Sequence, residues 1–145
     1  MATPITSLVA GIKERCGTFL TTTFSELDYG LDVSSNRSRQ AKKGYAVVPE
    51  SAAESDFIIG ATIVDQTVRV KLSDVVLPGK TSDQNTQSTT NSLYDNVYGL
   101  YDFLVKSRCG AASVINTYGL SVESPKYLDD GVVVIEFTFI VKHRN

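Results

Sequence analysis

A chain of 145 residues has the size of one domain, and at that length roughly 70% of the unfolded surface can leave water, so a core forms without staples. Hydrophobic residues at 42% and charged residues at 21% exclude wholesale disorder. A formal net charge of -2 gives no basic excess for nucleic acid or an anionic membrane, and no apolar run is long enough to span a bilayer.

Met1-Ala2-Thr3-Pro4 does not read as the basic and apolar start of a signal peptide. Thr3 can cap a helix and Pro4 fits its first position. Ile5, Leu8, Val9, Ile12 and Cys16 then recur at helical spacing, so a first helix is expected, ending near Gly17 before the poor helical run Thr21-Thr22-Thr23. From Thr21 to Gly44 the pattern dissolves. Phe24, Leu27, Tyr29, Leu31 and Val33 are spaced like a weak strand, Ser34-Ser35-Asn36 reads as a turn, and Arg37, Arg39, Lys42 and Lys43 follow. The segment 21–44 is expected to be a mobile arm.

Tyr45 to Val48 is a short strand candidate stopped by Pro49, and Glu50 to Asp56 reads as a polar connection. A long strand is expected from Phe57 to Leu72. Thr62, Val64, Gln66, Val68, Val70 and Leu72 fall on one face, with Ala61, Ile63, Asp65, Thr67, Arg69 and Lys71 on the other, which predicts one face on a core and one partly in water. Pro78 to Asn91 holds no apolar residue after its proline, so 78–91 is expected to be a flexible loop.

A second helix is expected from Ser92, with Ser92 and Asp95 as a loose capping box. Leu93, Val97, Leu100, Tyr101 and Leu104 line one face, and Tyr94, Tyr98 and Val105 widen it, which suggests burial on more than one side. Gly110 is a natural stop. Val114, Asn116, Tyr118, Leu120 and Val122 alternate along one strand. After the turn signal Asp129-Asp130-Gly131, Val133, Ile135, Phe137, Phe139 and Val141 form a wholly apolar face of another. The order helix, strands, helix, strands predicts an α+β fold. It is an antiparallel or mixed β-sheet with two α-helices packed on one face and a C-terminal β-hairpin, all in one domain over 1–145.

No constellation of reactive groups emerges. Gly79-Lys80-Thr81 looks like the end of a phosphate-binding loop, but Asp74 stands where that motif needs its first glycine. His143 is a lone histidine at a chain end expected to fray, with no partners at ligand spacing. Asp129 and Asp130 precede a glycine in a turn, and no serine has a nucleophile-elbow setting. Asn36-Arg37-Ser38 matches a glycosylation pattern that has no meaning without secretion. Cys16 and Cys109 are expected as reduced, buried thiols. The cluster Arg37, Arg39, Lys42 and Lys43 weighs toward a charged contact with a neighbouring subunit or a solvated loop rather than nucleic acid, because interleaved aromatics are lacking apart from Tyr45. No catalytic, cofactor-binding or metal residues are assigned.

The element order resembles the tail terminator (tail-completion) proteins of long-tailed bacteriophages. The ending Tyr127-Leu128-Asp129-Asp130-Gly131, then Val132 to Val141, then Lys142-His143-Arg144-Asn145, carries most of the likeness. The resemblance implies a structural virion protein, not an enzyme, assembled in the host cytoplasm. Copies would form a ring, usually of six, on the head-proximal end of the tail tube. The implied partners are further copies of the chain, the tail tube protein, the head-tail connector protein and DNA passing through the lumen without specific binding. No membrane or cofactor is implied.

A ring needs heterologous contacts, and the two polar segments are the parts expected to reach a neighbour. Arg37, Arg39, Lys42, Lys43, Lys80, Asp83, Gln84, Asn85 and Gln87 are therefore the subunit-interface candidates. The alternative is another phage neck, head-tail connector or baseplate component, or a small ligand-binding domain.

Overall fold

The computed structural model describes residues 5–20, 24–26, 44–58, 61–75, 82–111, 113–127 and 132–144. Helix α1 spans Ile5–Leu20 and turns Leu8, Val9, Ile12 and Cys16 inward, as their spacing predicts. It runs past Gly17. Thr18 bends its hydroxyl back onto the carbonyl of Glu14 at 2.9 Å, which satisfies a side chain that otherwise competes with the helix, and Leu20 is buried at the end.

Strand β1 (Ser25–Glu26) runs parallel to the start of β2 (Gly44–Ile58), and β2 forms an antiparallel hairpin with β3 (Ala61–Val75). This corrects three expectations. Pro49 does not stop its strand, Glu50 to Asp56 is not a connection, and Phe57 and Ile58 belong to β2 rather than to β3. The register slips by one residue between Pro49 and Ala52, and again between Glu54 and Asp56. A bulge on an edge strand is where a residue without an N–H is tolerated. The polar Gln66, on the core face of β3, answers this bulge. Its amide donates to the carbonyls of Glu50 at 2.9 Å and Ser51 at 3.3 Å.

Helix α2 is Ser82–Lys106, 25 residues long. It begins ten residues before the expected Ser92, so 82–91 is helical rather than loop, and Ser92 lies inside the helix with its carbonyl accepting from Asn96 at 3.0 Å. Helix extension needs no apolar face of its own once a packed turn exists, and Leu93, Val97, Leu100 and Leu104 supply that anchor. Thr90 is already buried, 3.3 Å from the Tyr127 hydroxyl. A 3-10 turn at Arg108–Gly110 ends the helix. Arg108, Cys109 and Gly110 all have positive φ, so a glycine fits the last of these without strain.

Strands β4 (Val114–Val122), β5 (Lys126–Tyr127) and β6 (Val132–Arg144) complete a mixed sheet in the order β1-β2-β3-β6-β4, with β5 also on β6. The C-terminal strand is central, not frayed, and His143 within it is buried. The simple alternation along β4 fails in its middle. Register slips lie between Val114 and Asn116 and between Tyr118 and Ser121, so Thr117 turns inward in place of Asn116, and Leu120 and Val122 return to the core.

Both helices pack on one face of the sheet. Their apolar stripes and the Val47, Val68, Val70, Leu72, Ile135, Phe137, Phe139 and Val141 side chains form a single cluster. Helix α1 lies against β2 and α2 against β3, β6 and β4. The helices meet where the Phe19 ring crosses Gly99, whose missing Cβ would sit 2.7 Å from the ring. Phe19 also faces Phe103, with ring centroids 5.8 Å apart.

Candidate assembly surfaces

The helix-free face of the sheet carries a charge network. Arg69, on the half-exposed side of β3, bonds the Glu50 carboxylate across the hairpin, Glu123 at 3.0 Å and Glu136 at 3.2 Å. Lys126 reaches the other oxygen of Glu136 at 2.7 Å, and Lys71 approaches it at 4.0 Å. Three cations thus face three carboxylates drawn from β2, β3, β5, β6 and the segment after β4. The hydrogen bond to Glu50 raises the already high pKa of Arg69. Burial alone would raise that of Glu136, but the bond from Lys126 and the charges of Lys71 and Arg69 outweigh it and hold the carboxyl below the ordinary range. The bond to Glu136 likewise raises the pKa of Lys126. Further along the same face, Lys142 lies 6.0 Å from the centroid of the Tyr118 ring.

The flanks of the domain differ. At 100° per residue, Gly99 and Phe103 point from α2 toward α1, while Tyr94, Tyr98, Tyr101 and Val105 point the opposite way, toward β4. Tyr101 turns in onto Phe139 at 5.9 Å and Tyr94 stacks on Tyr98 at 6.5 Å. Tyr98 (54% exposed), Val105 (37%), Ile115 on β4 (47%) and Tyr127 on β5 (57%) are the large apolar side chains left in water among the described residues. Tyr98 and Val105 point away from α1, while Ile115 and Tyr127 lie on the two strands that pair with β6, near its opposite ends. The expected burial of α2 on more than one side therefore holds for Tyr94 and Tyr101 but not for Tyr98 and Val105. The opposite flank lies beside β2 and α1. Thr6, Ala10, Ala52 and Ala53 are exposed there, and Lys13 of α1 pairs with Glu26 of β1 at 3.0 Å.

Of the sequence-chosen interface residues, Arg37, Arg39, Lys42, Lys43 and Lys80 lie outside the described residues. Asp83, Gln84, Asn85 and Gln87 lie on the first two turns of α2, where Gln87 is exposed. Period-two patterning had placed Arg69 and Lys71 on the wetter face, but the strand pairing that sets Lys71 opposite Glu136 could not be read from one strand alone.

Cys16 and Cys109 are free and buried, as expected. Burial pushes the Cys16 thiol up to about 12, and burial also raises that of Cys109, whose sulfur lies 3.5 Å from the Thr117 hydroxyl. Among the described residues no group of three or more His, Cys, Asp and Glu side chains is arranged to hold a metal ion, and no helix is long and apolar enough to cross a membrane.

No protein-family model and no curated protein matches the chain. A solved structure does, by fold. The likeness is to a chain of the "Virion of native gene transfer agent (GTA) particle", with a TM-score of 0.51 and 11% sequence identity, and it covers 95% of this chain and 95% of that one. The two share an α+β fold from end to end.

Proposed function

We propose that this chain is a structural protein of a phage-like virion. In this reading its copies form a ring on the head-proximal end of the tail tube, stop tube growth and offer a surface for head joining. The observation that carries the reading is the end-to-end likeness to a chain of a virion particle, with almost nothing left over in either chain to make a separate domain. The element order adds to it, because it resembles tail terminators over most of the sequence.

The sheet suits a ring. Strands β2, β3, β6 and β4 alternate in direction, so β2 and β4 run opposite ways. Copies related by rotation about an axis along the strands would set β4 of one antiparallel to β2 of the next, a head-to-tail contact that closes. Turned toward the lumen, the helix-free face would show DNA a network of matched charges rather than a basic surface that grips phosphates. The first turns of α2, with Asp83, Gln84, Asn85 and Gln87, extend beyond its core-packed part and are the proposed contact with the next layer, either the tail tube protein or the head-tail connector protein. Arg37, Arg39, Lys42, Lys43 and Lys80 are proposed to join contacts between subunits.

The test is assembly. The protein added to growing tail tubes should cap one end under the electron microscope and fix tube length. Charge reversal at Arg37 and Arg39 should weaken capping more than it lowers thermal stability. A protein that binds the portal side and leaves tube length unchanged would instead be a connector.

A further inference from the structure

Helix α2 and the β4–β5 edge of the sheet meet in a seam. Tyr94 and Tyr98 stand on its helix side, Leu120 and Val122 of β4 are half-buried along it, and Tyr127 of β5 places its hydroxyl 3.3 Å from Thr90 of α2. Tyr98 and Tyr127 are each more than half exposed, so the seam holds aromatic surface in water. Both rings are already placed, Tyr98 by its stack on Tyr94 and Tyr127 by Thr90, so little side-chain freedom remains to be lost on contact. Tyrosine held in this way supplies apolar area together with a polar tip at the rim.

We propose that this seam receives the segment 27–43 of a second copy of this chain, with Leu27, Tyr29, Leu31 and Val33 laid along it. The proposal rests on the ring reading above and specifies its joint. The register of the sheet sets the level. Glu26, where the segment leaves, is tied through Tyr45 and Leu72 to Ile135, and Gly44, where it returns, is tied through Ser73 to Val134. Lys126 and Tyr127 pair with Val134 and Val133. The segment therefore leaves and returns at the end of the sheet where Tyr127 stands. Rotation about an axis along the strands keeps that level, and it sets the β4–β5 side of one copy beside β1 and β2 of the next.

Covalent reach excludes the copy's own seam. At Val133 and Val134 one side of β6 is taken by β3, so β5 lies on the other side, four strand spacings or roughly 19 Å from β1. A residue spans at most about 3.6 Å, so Leu27 and Tyr29, which follow closely on Glu26, fall short of it. The chemistry matches as well. Leu27, Tyr29, Leu31 and Val33 alternate with Asp28, Gly30 and Asp32, so an extended chain offers apolar groups to the seam and polar ones to water. Leu27 to Val33 covers about 20 Å when extended, enough to follow α2 from Thr90 to Tyr98, about 12 Å. Arg37 and Arg39 come next in the segment, and Asp95 and Asp102 are exposed beside Tyr98 on α2.

The full-length protein should be followed by sedimentation across a concentration series, alongside Tyr98→Ser and Leu31→Ser. Tyr98→Ser changes an exposed position and should leave the thermal midpoint in place, and each variant should weaken self-association by about tenfold or more. Cross-linking removes any dependence on folding effects. Leu31→Cys and Tyr98→Cys, prepared separately and mixed, should be joined by a short bis-maleimide into dimers that neither variant gives alone, since the native Cys16 and Cys109 are buried. Both changes in one chain should give multimers. A monomer carrying an internal link would place the segment on its own copy and would overturn the proposal. Dimers from Tyr98→Cys alone would mean that two seams meet each other, and would overturn it too. A wild-type protein that assembles, is indifferent to Tyr98→Ser and Leu31→Ser and gives no mixed cross-link overturns the docking and leaves the ring reading standing. A wild-type protein that sediments as a monomer at every concentration overturns the docking, and one that also fails to cap tail tubes overturns the ring reading with it.

Discussion

Arg69 on β3 and Glu136 on β6 face each other across the helix-free side of the sheet, 3.2 Å apart, and Glu136 is nearly buried although no helix covers it. Its burial comes from the long side chains around it, since Lys126 and Lys71 close over the carboxylate from either side. A cross-strand ion pair in such a setting is worth more than an isolated surface pair, because its partners also satisfy the lone pairs of the acid.

Replacing Arg69 by Ala removes bonds to Glu50, Glu123 and Glu136 together. Glu50 and Glu123 can turn to water, so the cost falls mainly on Glu136, which keeps Lys126. The expected loss is about 1–3 kcal/mol in urea denaturation. Arg69→Lys should recover only part of it, because an ammonium cannot bridge three carboxylates as a planar fork does. No change in the denaturation midpoint for Arg69→Ala would show that the network is ornamental.

The same carboxylate sets an acid limit on stability. The folded-state pKa of Glu136 lies below its ordinary value of 4.5, so the folded protein releases this proton more readily than the unfolded chain does. That contribution is present above the unfolded value and is lost as pH falls through the folded one. Stability measured from pH 6 downward should therefore fall below about pH 4.5. Glu136→Gln should flatten part of that slope while lowering stability near neutrality. A slope unaltered in Glu136→Gln would assign the acid sensitivity to other groups.

Two glycines on α1 should respond to alanine in opposite directions. A Cβ at Gly11 would sit 2.7 Å from the backbone carbonyl of Cys109, so the 3-10 turn must move. Gly11→Ala should destabilise by about 1–3 kcal/mol. At Gly17 the nearest atom is the Tyr45 hydroxyl at 3.4 Å, an ordinary contact, and Gly17→Ala should stabilise by up to about 1 kcal/mol through helix propensity. Thermal melts of the two variants check both signs, and a fall in both would mean α1 tolerates no added volume on either side.

The comparison of sequence with structure turns on which signals are local. The apolar stripes of α1 and α2 and the inward face of β6 were legible because each is fixed by its own period, and Leu8, Leu100 and Phe137 are all fully buried. The span of β2 was not legible, because Ala52 to Glu54 carries no apolar alternation and is held by pairing with β3, with Gln66 satisfying the bulge. The start of α2 was hidden for a similar reason, since Thr90 is buried by a tyrosine 37 positions later. The interface candidates drawn from polarity pointed at segments short of core residues. Tyr98 looks like a core residue in sequence, because it widens the apolar face of α2, and only the position of α1 on the far side of α2 shows that it faces water.

The two thiols offer a readout of the whole core. Cys16 packs in α1 under the sheet and Cys109 in the 3-10 turn, and both are completely buried. Burial holds the Cys16 pKa near 12, so at pH 8 almost none of it is thiolate even where a reagent could reach it. Cys109 is shifted the same way and has the Thr117 hydroxyl beside it. A disulfide-exchange reagent at pH 8 should therefore find no fast-reacting thiol in the native protein and two on addition of denaturant. The slow native reaction should track opening of the core, so Gly11→Ala, which pushes directly on the carbonyl of Cys109, should speed it by the factor its loss of stability predicts. Rapid labelling of the native protein would mean that α1 leaves the sheet more readily than the packing of Leu8, Ile12 and Cys16 allows.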